Sequence, residues 1–439
     1  SFTLDPKRWT ATLRGVTIGD VAVEGEMGGV RPTDPAAPFA DSSITGAMTA
    51  SATSAAHAID LAHAFDVFDL DLAPYEFGGA LTAEATLRGT VRLPVGDAIV
   101  EVPTLTAHGG LTGDLHAGAA VGRFSVDLHE GRATLGETSA TLRGRIDARA
   151  RTIALDQVIN ARSNDTTVRL FDLPRHLVPS GAFTAVGRWT GSPQLPRLDM
   201  QVTSDAWMVA GQAPMRATGA VGWDGDIVTC TPCVFTRDGS TFDLTGRIDL
   251  VTERLEARGI VEKWAVTPIS WPQGAAGVTE PMTYPVAGLL SGRFDVTGLV
   301  DDLAGSINAR MDDAQWDAMR PGTITADVTL ADRRAMVALG APALAAEGRV
   351  TASQQAPHAF DASAEVNGAD LAALVERLAV DARGTTGRVT GTLAATGQLD
   401  DPDSVSGRAA LQAFEGTWRE LPLRLERPAS FDWTSRNVT

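Results

Sequence analysis

Positive charge is scarce in this 439-residue chain, and lysine is nearly missing from it. Lys7 and Lys263 are its two lysines, and 54 acidic residues against 37 lysines and arginines give a formal net charge of −17. An acidic surface repels phosphate backbones, so the composition argues against a nucleic-acid partner. No basic cluster offers a contact with an anionic membrane surface either.

Long hydrophobic runs are missing as well. The longest apolar stretches, such as MVALGAPALAA at 336–346, fall short of the roughly 18–20 residues that a membrane-spanning helix needs. The chain has no signal peptide and no initiator Met, and it starts and stops inside strand-like sequence. We therefore expect an internal fragment of a longer chain, with any membrane anchor outside it.

Cysteine is limited to Cys230 and Cys233, which form one CxxC pair. A single pair is weak support for zinc, and the strands around it lack the helix of a thioredoxin-like site. A local disulfide in an oxidising compartment and two free thiols both remain open. We expect no bound metal and no catalytic redox role at this pair.

Motifs that carry catalysis are missing too. The chain contains no GxSxG, Walker A, GxGxxG or HExxH pattern, and its seven histidines show no metal-ligand spacing with a carboxylate. Acidic pairs at 301–302, 312–313 and 400–403 are typical of solvated turns rather than of calcium sites. The sequence therefore predicts a protein that is not an enzyme and holds no cofactor.

What the sequence does contain is alternation. In STFDLTGRIDL (240–250), Phe242, Leu244 and Ile248 share one parity, while Asp243 and Arg247 share the other. A period of two predicts a β-strand with one apolar face and one wet face. Turn residues predict hairpins at Asp238-Gly239 and, in GRFSVDLHEGRATL (122–135), at Glu130-Gly131.

Similar segments recur about every hundred residues, which indicates a tandem array. One family has central glycines spaced by 98, 102 and 102 residues, in ITGAMTA (44–50), LRGRIDA (142–148), LTGRIDL (244–250) and AEGRVTA (346–352). A second family has matching glycines spaced by 98, 111 and 99 residues, namely Gly89, Gly187, Gly298 and Gly397. The central glycines lie on the apolar parity, where they favour bends or close approach of another backbone.

One segment in each period departs from the strand pattern. NGADLAALVERLAV (367–380) has helical spacing, with Asp370 as its N-cap. The same phase holds short helical or irregular apolar segments at 58–72, 168–181 and 264–274. These segments either plug the open end of a core or act as a lid over a cavity.

Strands with one apolar face suit a sandwich, a barrel or a long folded sheet. We find no regular Pro/Gly/Ser-rich linker between the periods, so a single continuous array over 1–439 is favoured. Its quasi-repeats are roughly 1–97, 98–198, 199–300 and 301–400, with a partial fifth at 401–439. Aromatic residues make up only 6% of the chain, and the small apolar residues on the inner parity do not fill a wide interior by themselves.

The repeat that includes GTLAATGQLDDPDSVSGRAALQAFEG (391–416) resembles the repeats of TamB-like and AsmA-like envelope proteins of Gram-negative bacteria. These belong to the repeating β-groove, bridge-like lipid transfer group. The resemblance implies an all-β fold: an elongated, twisted antiparallel sheet curled into a taco-like hydrophobic groove, with short helical or irregular segments between repeats. Nothing in the chain matches the barrel-binding C-terminal domain or the N-terminal membrane helix of that family.

The resemblance further implies a periplasmic segment that shields and conducts phospholipid acyl chains between inner and outer membranes. A parent chain would be anchored in the inner membrane and would contact an outer-membrane barrel of the TamA or BamA type. Parity places these side chains on the groove lining: Leu87, Leu142, Ile146, Phe183, Phe242, Leu244, Ile248, Phe294, Val296, Val350 and Leu393. Two alternatives remain: a non-transporting scaffold or chaperone for outer-membrane proteins, and an extracellular β-repeat stalk or adhesin.

Overall fold

Antiparallel β-strands make up most of the chain in a computed structural model. The structure describes residues 1–5, 7–34, 36–64, 73–170, 180–208, 213–271, 282–299, 302–377, 385–418, 421–434 and 437–438. Strands account for 74% of the residues and helices for 8%. The predicted all-β class with short helical interruptions is therefore confirmed.

The chain divides into two compact units, residues 1–209 with 220–225, and residues 210–219 with 226–439. Strand β13 (Met215–Asp224) contributes residues to both. The strands of the first unit are β1 (Phe2–Leu4), β2 (Arg8–Ile18), β3 (Val21–Val30), β4 (Ser43–Ala52), β5 (Leu81–Thr90), β6 (Pro94–Ala107), β7 (Leu111–Val121), β8 (Ser125–Leu135), β9 (Thr138–Asp147), β10 (Thr152–Ala161), β11 (Phe183–Gly191) and β12 (Pro196–Trp207).

In this first unit each strand pairs antiparallel with the next along the chain, from β1 to β12. Among the described residues no register joins β1 to β12, so the ladder is open. Twelve strands about 4.8 Å apart span roughly 55 Å, whereas an 11-residue strand is only about 37 Å long. The unit is thus a strip that is longer across its strands than along them.

The second unit is built in the same way. Its strands are β14 (Ile227–Arg237), β15 (Ser240–Asp249), β16 (Arg254–Val266), β17 (Ile269–Trp271), β18 (Met282–Tyr284), β19 (Val286–Leu299), β20 (Asp302–Trp316), β21 (Met319–Ala331), β22 (Arg334–Ala341), β23 (Ala346–Ser353), β24 (Ala359–Asp370), β25 (Thr385–Gln398), β26 (Asp401–Trp418), β27 (Leu421–Arg424), β28 (Ala429–Thr434) and β29 (Asn437–Val438). Strands β14 to β26 pair in chain order except that β17 and β18 form a separate hairpin. The long β26 pairs with β28 through its first half and with β27 through its second.

Three short α-helices interrupt the described strands: α1 (Ala55–Ala64), α2 (Asp165–Leu170) and α3 (Leu371–Arg377). They follow β4, β10 and β24, and the β17–β18 hairpin follows β16, so six ladder strands separate each insertion from the next. An even number of antiparallel strands returns the chain to the same edge of a strip. We call the edge of each unit that bears these insertions its helix rim, and the opposite edge its turn rim.

The predicted helix at 367–380 is present as α3. The backbone amide of Ala373 donates to Asp370 Oδ1 at 3.1 Å, so Asp370 is the N-cap as expected. Leu374 is buried at 9% exposure, while Leu378 lies outside the described residues. The predicted segments at 58–72, 168–181 and 264–274 also fall partly outside them.

Of the two predicted hairpins, one is correct and one is wrong. Strands β14 and β15 turn at Asp238-Gly239 as predicted. Residues 125–135, however, form the single strand β8, and the register shift between Leu128 and Gly131 is a bulge. Glu130-Gly131 looked like a turn because a bulge, like a turn, breaks the alternation and tolerates glycine.

Few of the described side chains are fully buried, and one cluster of buried apolar side chains lies at the helix rim of the first unit. Ala55 of α1 packs with Val102 and Leu105 of β6, and Phe77, Leu81, Leu115 and Leu135 surround them. Arg169 of α2 donates from Nε to the Gly109 carbonyl at 3.0 Å. In this unit the helices therefore close one end of the apolar face by direct packing.

Two hairpins on the turn rims share one design. Asp147 Oδ1 accepts the Ala150 amide at 2.8 Å after β9, and Asp249 Oδ1 accepts the Thr252 amide at 2.9 Å after β15. These amide hydrogen bonds hold the pKa of both carboxyls below the ordinary 3.8. The two positions are 102 residues apart and correspond in the sequence repeats.

We expect Asp147→Ala to destabilise the first unit at neutral pH. Because the folded-state pKa is lowered, the contribution of the carboxylate is complete above its ordinary pKa of 3.8 and is lost as the pH falls through the lower folded value. The urea midpoints of the wild type and the variant should therefore converge below that range. Asp147→Asn, which keeps an acceptor without charge, is the control; a gap that persists at about pH 2 would contradict this assignment.

Candidate functional site: an apolar face on each unit

Directly opposed residues of antiparallel strands point to the same side of a sheet, so the registers trace each face. In the second unit one row of opposed residues crosses twelve strands. It runs through Cys233, Leu244, Gly259, Phe294, Ile307, Val328, Val337, Val350, Ala362, Ala395, Gly407 and Trp433. Every member is apolar, and Leu244, Phe294 and Val350 are three of the predicted lining residues.

The other predicted residues of this unit share that face. Phe242 opposes Val261, Ile248 opposes Leu255, and Val296 opposes Ala257. Leu393 opposes Ala364 and Ala409, next to the central row. The structure thus brings together on one surface all seven of the lining residues predicted between 242 and 393.

The first unit has a matching face. One row runs through Met27, Gly46, Leu87, Gly96, Val121, Val126, Ile146 and Ile153. A second row runs through Val23, Ala50, Ala83, Val100, Ala117, Gly131, Leu142, Gln157, Gly187 and Met200. Phe183 opposes Ala161 on the same side, so the predicted Leu87, Leu142, Ile146 and Phe183 lie on one face.

Gln157 is a polar exception within these rows. Trp189 donates its indole N–H to Gln157 Oε1, and Gln157 Nε2 lies 3.8 Å from Met200 Sδ across Gly187. A Cβ at position 187 would lie 2.5 Å from Met200 Cγ, so glycine is what permits this approach. Sequence reasoning missed Gln157, although it interrupts the odd-numbered apolar series of β10.

The opposite faces are charged and exposed. Asp243, Arg247 and Asp295 are all exposed there. Cross-strand ion pairs include Arg88 with Asp97 at 2.9 Å and Arg408 with Asp432 at 2.7 Å. Hydrogen bonding to Arg408 lowers the pKa of Asp432 and raises that of Arg408. Exposed pairs of this kind contribute roughly 0–1 kcal/mol each, so they mark the wet side rather than hold the sheet together.

The apolar faces are only partly covered. Val296 is 8% exposed and Leu155 is 8% exposed, but Leu393 is 44% exposed, and most other predicted lining residues are intermediate. Within the described part of the chain, Val102 and Ser42 are 0% exposed and Leu111 is 2% exposed. A surface that is apolar along nearly all of its traced length yet half open is typical of an interaction site rather than a core.

Aromatic rings on the second face pack over glycine. Phe235 stacks on Phe242 at 5.5 Å between centroids, and Phe242 lies 6.3 Å from Phe294. Phe294 leans across Gly259, where a Cβ would lie 2.6 Å from Phe294 Cε1. The ring of Phe294 therefore occupies the space that the missing side chain of Gly259 leaves next to it in the row.

Cys230 and Cys233 form a disulfide with a Cα–Cα distance of 5.9 Å. A bulge separates them in β14, and they oppose Gly246 and Leu244 of β15. Both cysteines therefore lie on the apolar face, and the disulfide joins the two sides of the bulge.

The described residues contain no group of three or more His, Cys, Asp or Glu side chains placed to hold a metal ion. Within that same part of the chain, no helix has both the length and the apolar character to span a membrane. Comparisons of the chain with protein-family models, curated proteins and solved structures find no match. The resemblance to envelope proteins stays a prediction.

Two substitutions in the second unit test how open the face is. Val296→Ala empties a buried position, and we expect it to lower the free energy of unfolding by about 2 kcal/mol. Leu393→Ala removes more carbon atoms from a half-exposed position, and its expected cost is under ~1 kcal/mol. Urea denaturation measures both; a larger cost at Leu393 would mean that the face is packed like a core.

Proposed function

We propose that this chain is a periplasmic segment of a TamB-like or AsmA-like protein that shields phospholipid acyl chains and conducts them between the inner and outer membranes. The observation that carries the proposal is the twelve-strand row from Cys233 to Trp433, which is wholly apolar and partly open. Its charged opposite face keeps the strip in water. The free energy of exposing an acyl chain to water explains why such a surface would be useful.

A bare acyl chain in water is costly, because each exposed methylene contributes roughly 0.8 kcal/mol. A chain of about 16 carbons therefore costs on the order of 12 kcal/mol when it leaves a bilayer. Contact with a continuous apolar row removes much of this cost. Because neighbouring side chains of the row are all apolar, an acyl chain can move along the row without passing a polar side chain.

The lining also suits movement rather than tight storage. Small residues such as Gly259, Ala362 and Ala395 lie between larger ones in the row. A shallow surface of this kind binds acyl chains of varied shape through the apolar area they bury, and it does not need a pocket that fits one chain. No catalytic group is required for such a function, in keeping with the expectation that the protein is not an enzyme.

Location and partners follow as part of the same proposal. The disulfide between Cys230 and Cys233 is suited to an oxidising compartment such as the periplasm. A parent chain would supply the inner-membrane anchor and the contact with a TamA-like or BamA-like outer-membrane barrel. The transported ligand would be phospholipid.

A scaffold or chaperone for outer-membrane proteins is the second candidate, because the same open apolar face can bind unfolded strands. A stalk or adhesin is disfavoured by the partial exposure of the lining, since a passive stalk gains most by burying its apolar face completely. Native mass spectrometry of the purified chain separates the first two candidates. Co-purified phospholipid supports transfer, and a lipid-free particle supports the scaffold.

Ile248→Asp tests conduction directly. The new carboxylate would lie on the apolar face between Val228 and Leu255, where a passing acyl chain cannot solvate it. Because the face is partly open to water, we expect the variant to fold while lipid passage is lost. Arg247→Glu, on the exposed face of the same strand, is the matched control and should be silent in an envelope-integrity assay.

Site-specific photocrosslinking supplies the second readout. A photoreactive residue at position 248 should crosslink to lipid in cells, and one at position 247 should not. Equal crosslinking from both positions would mean that the face does not select lipid, and the transfer proposal would fall.

A further inference from the structure

The apolar face of the second unit ends at the helix rim in a buried arginine. Arg237 is the last residue of β14, two residues beyond Phe235, and it opposes Ser240. The shared parity places it on the same face as the stacked pair Phe235 and Phe242. Its side chain is covered, because the residue is only 7% exposed.

The contacts of Arg237 are with neutral groups. Nη1 donates to the Ala213 carbonyl at 3.3 Å, Nη2 donates to the Ala265 carbonyl, and the guanidinium lies 4.7 Å from the centroid of the Trp264 ring. Among the described residues no carboxylate forms an ion pair with it. A buried charge without a counter-ion is rare, because desolvation is expensive unless a partner offsets it.

Arg169 in the first unit offers a comparison. It also donates to a backbone carbonyl at the helix rim, that of Gly109, but Asp165 lies 3.6 Å away and its side chain is 38% exposed. An arginine at the helix rim whose role is to hydrogen-bond the backbone can thus also form an ion pair with a carboxylate and stay exposed to water. Arg237 does neither, in a chain with a formal net charge of −17 that supplies many carboxylates.

A guanidinium has five N–H donors in a planar fork, and the two carbonyls account for two of them. The remaining three have no acceptor among the described residues. A fork of this kind matches two oxygens of a phosphate group, and a dry setting strengthens the bond. The stacked rings of Phe235 and Phe242 begin about 7 Å away along the strand. A charged guanidinium and an apolar aromatic surface are therefore adjacent, as the headgroup and the chain of an amphiphile are.

We propose that Arg237 anchors a binding site for the phosphate headgroup of an anionic amphiphile whose chain lies on Phe235 and Phe242. The inference rests on the proposed function, since it assigns a headgroup position to the same face. It makes the helix rim the side on which headgroups travel. It also gives the acidic chain one attractive point for an anionic lipid.

The test uses the 439-residue chain and three probes, namely dodecyl phosphate and dodecyl maltoside, both below their micellar concentrations, and inorganic phosphate. Titration calorimetry should show that dodecyl phosphate binds at least tenfold more tightly than dodecyl maltoside, with inorganic phosphate weaker than both. Arg237→Gln should abolish that tenfold preference and leave dodecyl maltoside binding unchanged, and Arg237→Lys should keep part of it. Arg247→Gln, an exposed arginine of the neighbouring strand, should keep all of it.

The outcomes separate the two proposals. If neither amphiphile binds, the proposed function fails. If both bind equally, or if Arg237→Gln keeps the preference, Arg237 is a structural clamp and the inference alone is overturned. If inorganic phosphate binds as tightly as dodecyl phosphate and Arg237→Gln removes both, the site belongs to a free anion and the headgroup assignment is overturned.

Hydrogen exchange on the wild type keeps the test decisive where Arg237→Gln does not fold. Dodecyl phosphate should protect the amides of 235–242 and 261–266 more than dodecyl maltoside does. Equal protection of these segments by the two amphiphiles would overturn the inference.

Discussion

The structure depends on keeping the apolar parity of each strand in phase with that of its neighbours. A slip of one residue would turn a whole strand's apolar set towards water. The bulges preserve this phase. Where β14 advances three residues from Cys230 to Cys233, β15 advances two, so the apolar series changes from even to odd numbers without leaving its face. The shift from Val261 to Trp264 in β16 does the same.

The same constraint accounts for the glycines and the disulfide. A strip that is half open has little buried volume with which to fix its register, so cross-strand pairs must do more of that work. Phe294 over Gly259 is such a pair, because the ring is held by the gap that glycine leaves. The disulfide joins the two sides of a bulge, where a change of register would otherwise begin.

Alternation in the sequence predicted the class of fold and the facing of individual residues. Leu244, Phe294 and Val350 were assigned to one lining from parity alone, and the registers place them in one row. The order of residues along that row depends on pairing between strands, which parity does not contain. Parity also fails at bulges, which is why Glu130-Gly131 resembled a turn. Arg237 was missed because its burial depends on Ala213 and Trp264, which other segments bring to it.

The six-strand spacing of the insertions links the sequence repeat to how open the edges of each apolar face are. An odd number of strands per repeat would place successive insertions on alternate edges, and both edges of the face would be obstructed. With six, α1 and α2 in the first unit, and α3 and the β17–β18 hairpin in the second, fall on the helix rim of their own unit. The turn rim keeps mostly short connections such as 91–93 and 148–151. Each unit thus carries its inserted segments on one edge of its strip and mostly short turns on the other, so among the described residues the six-strand period keeps one edge of every apolar face free of inserted α-helices.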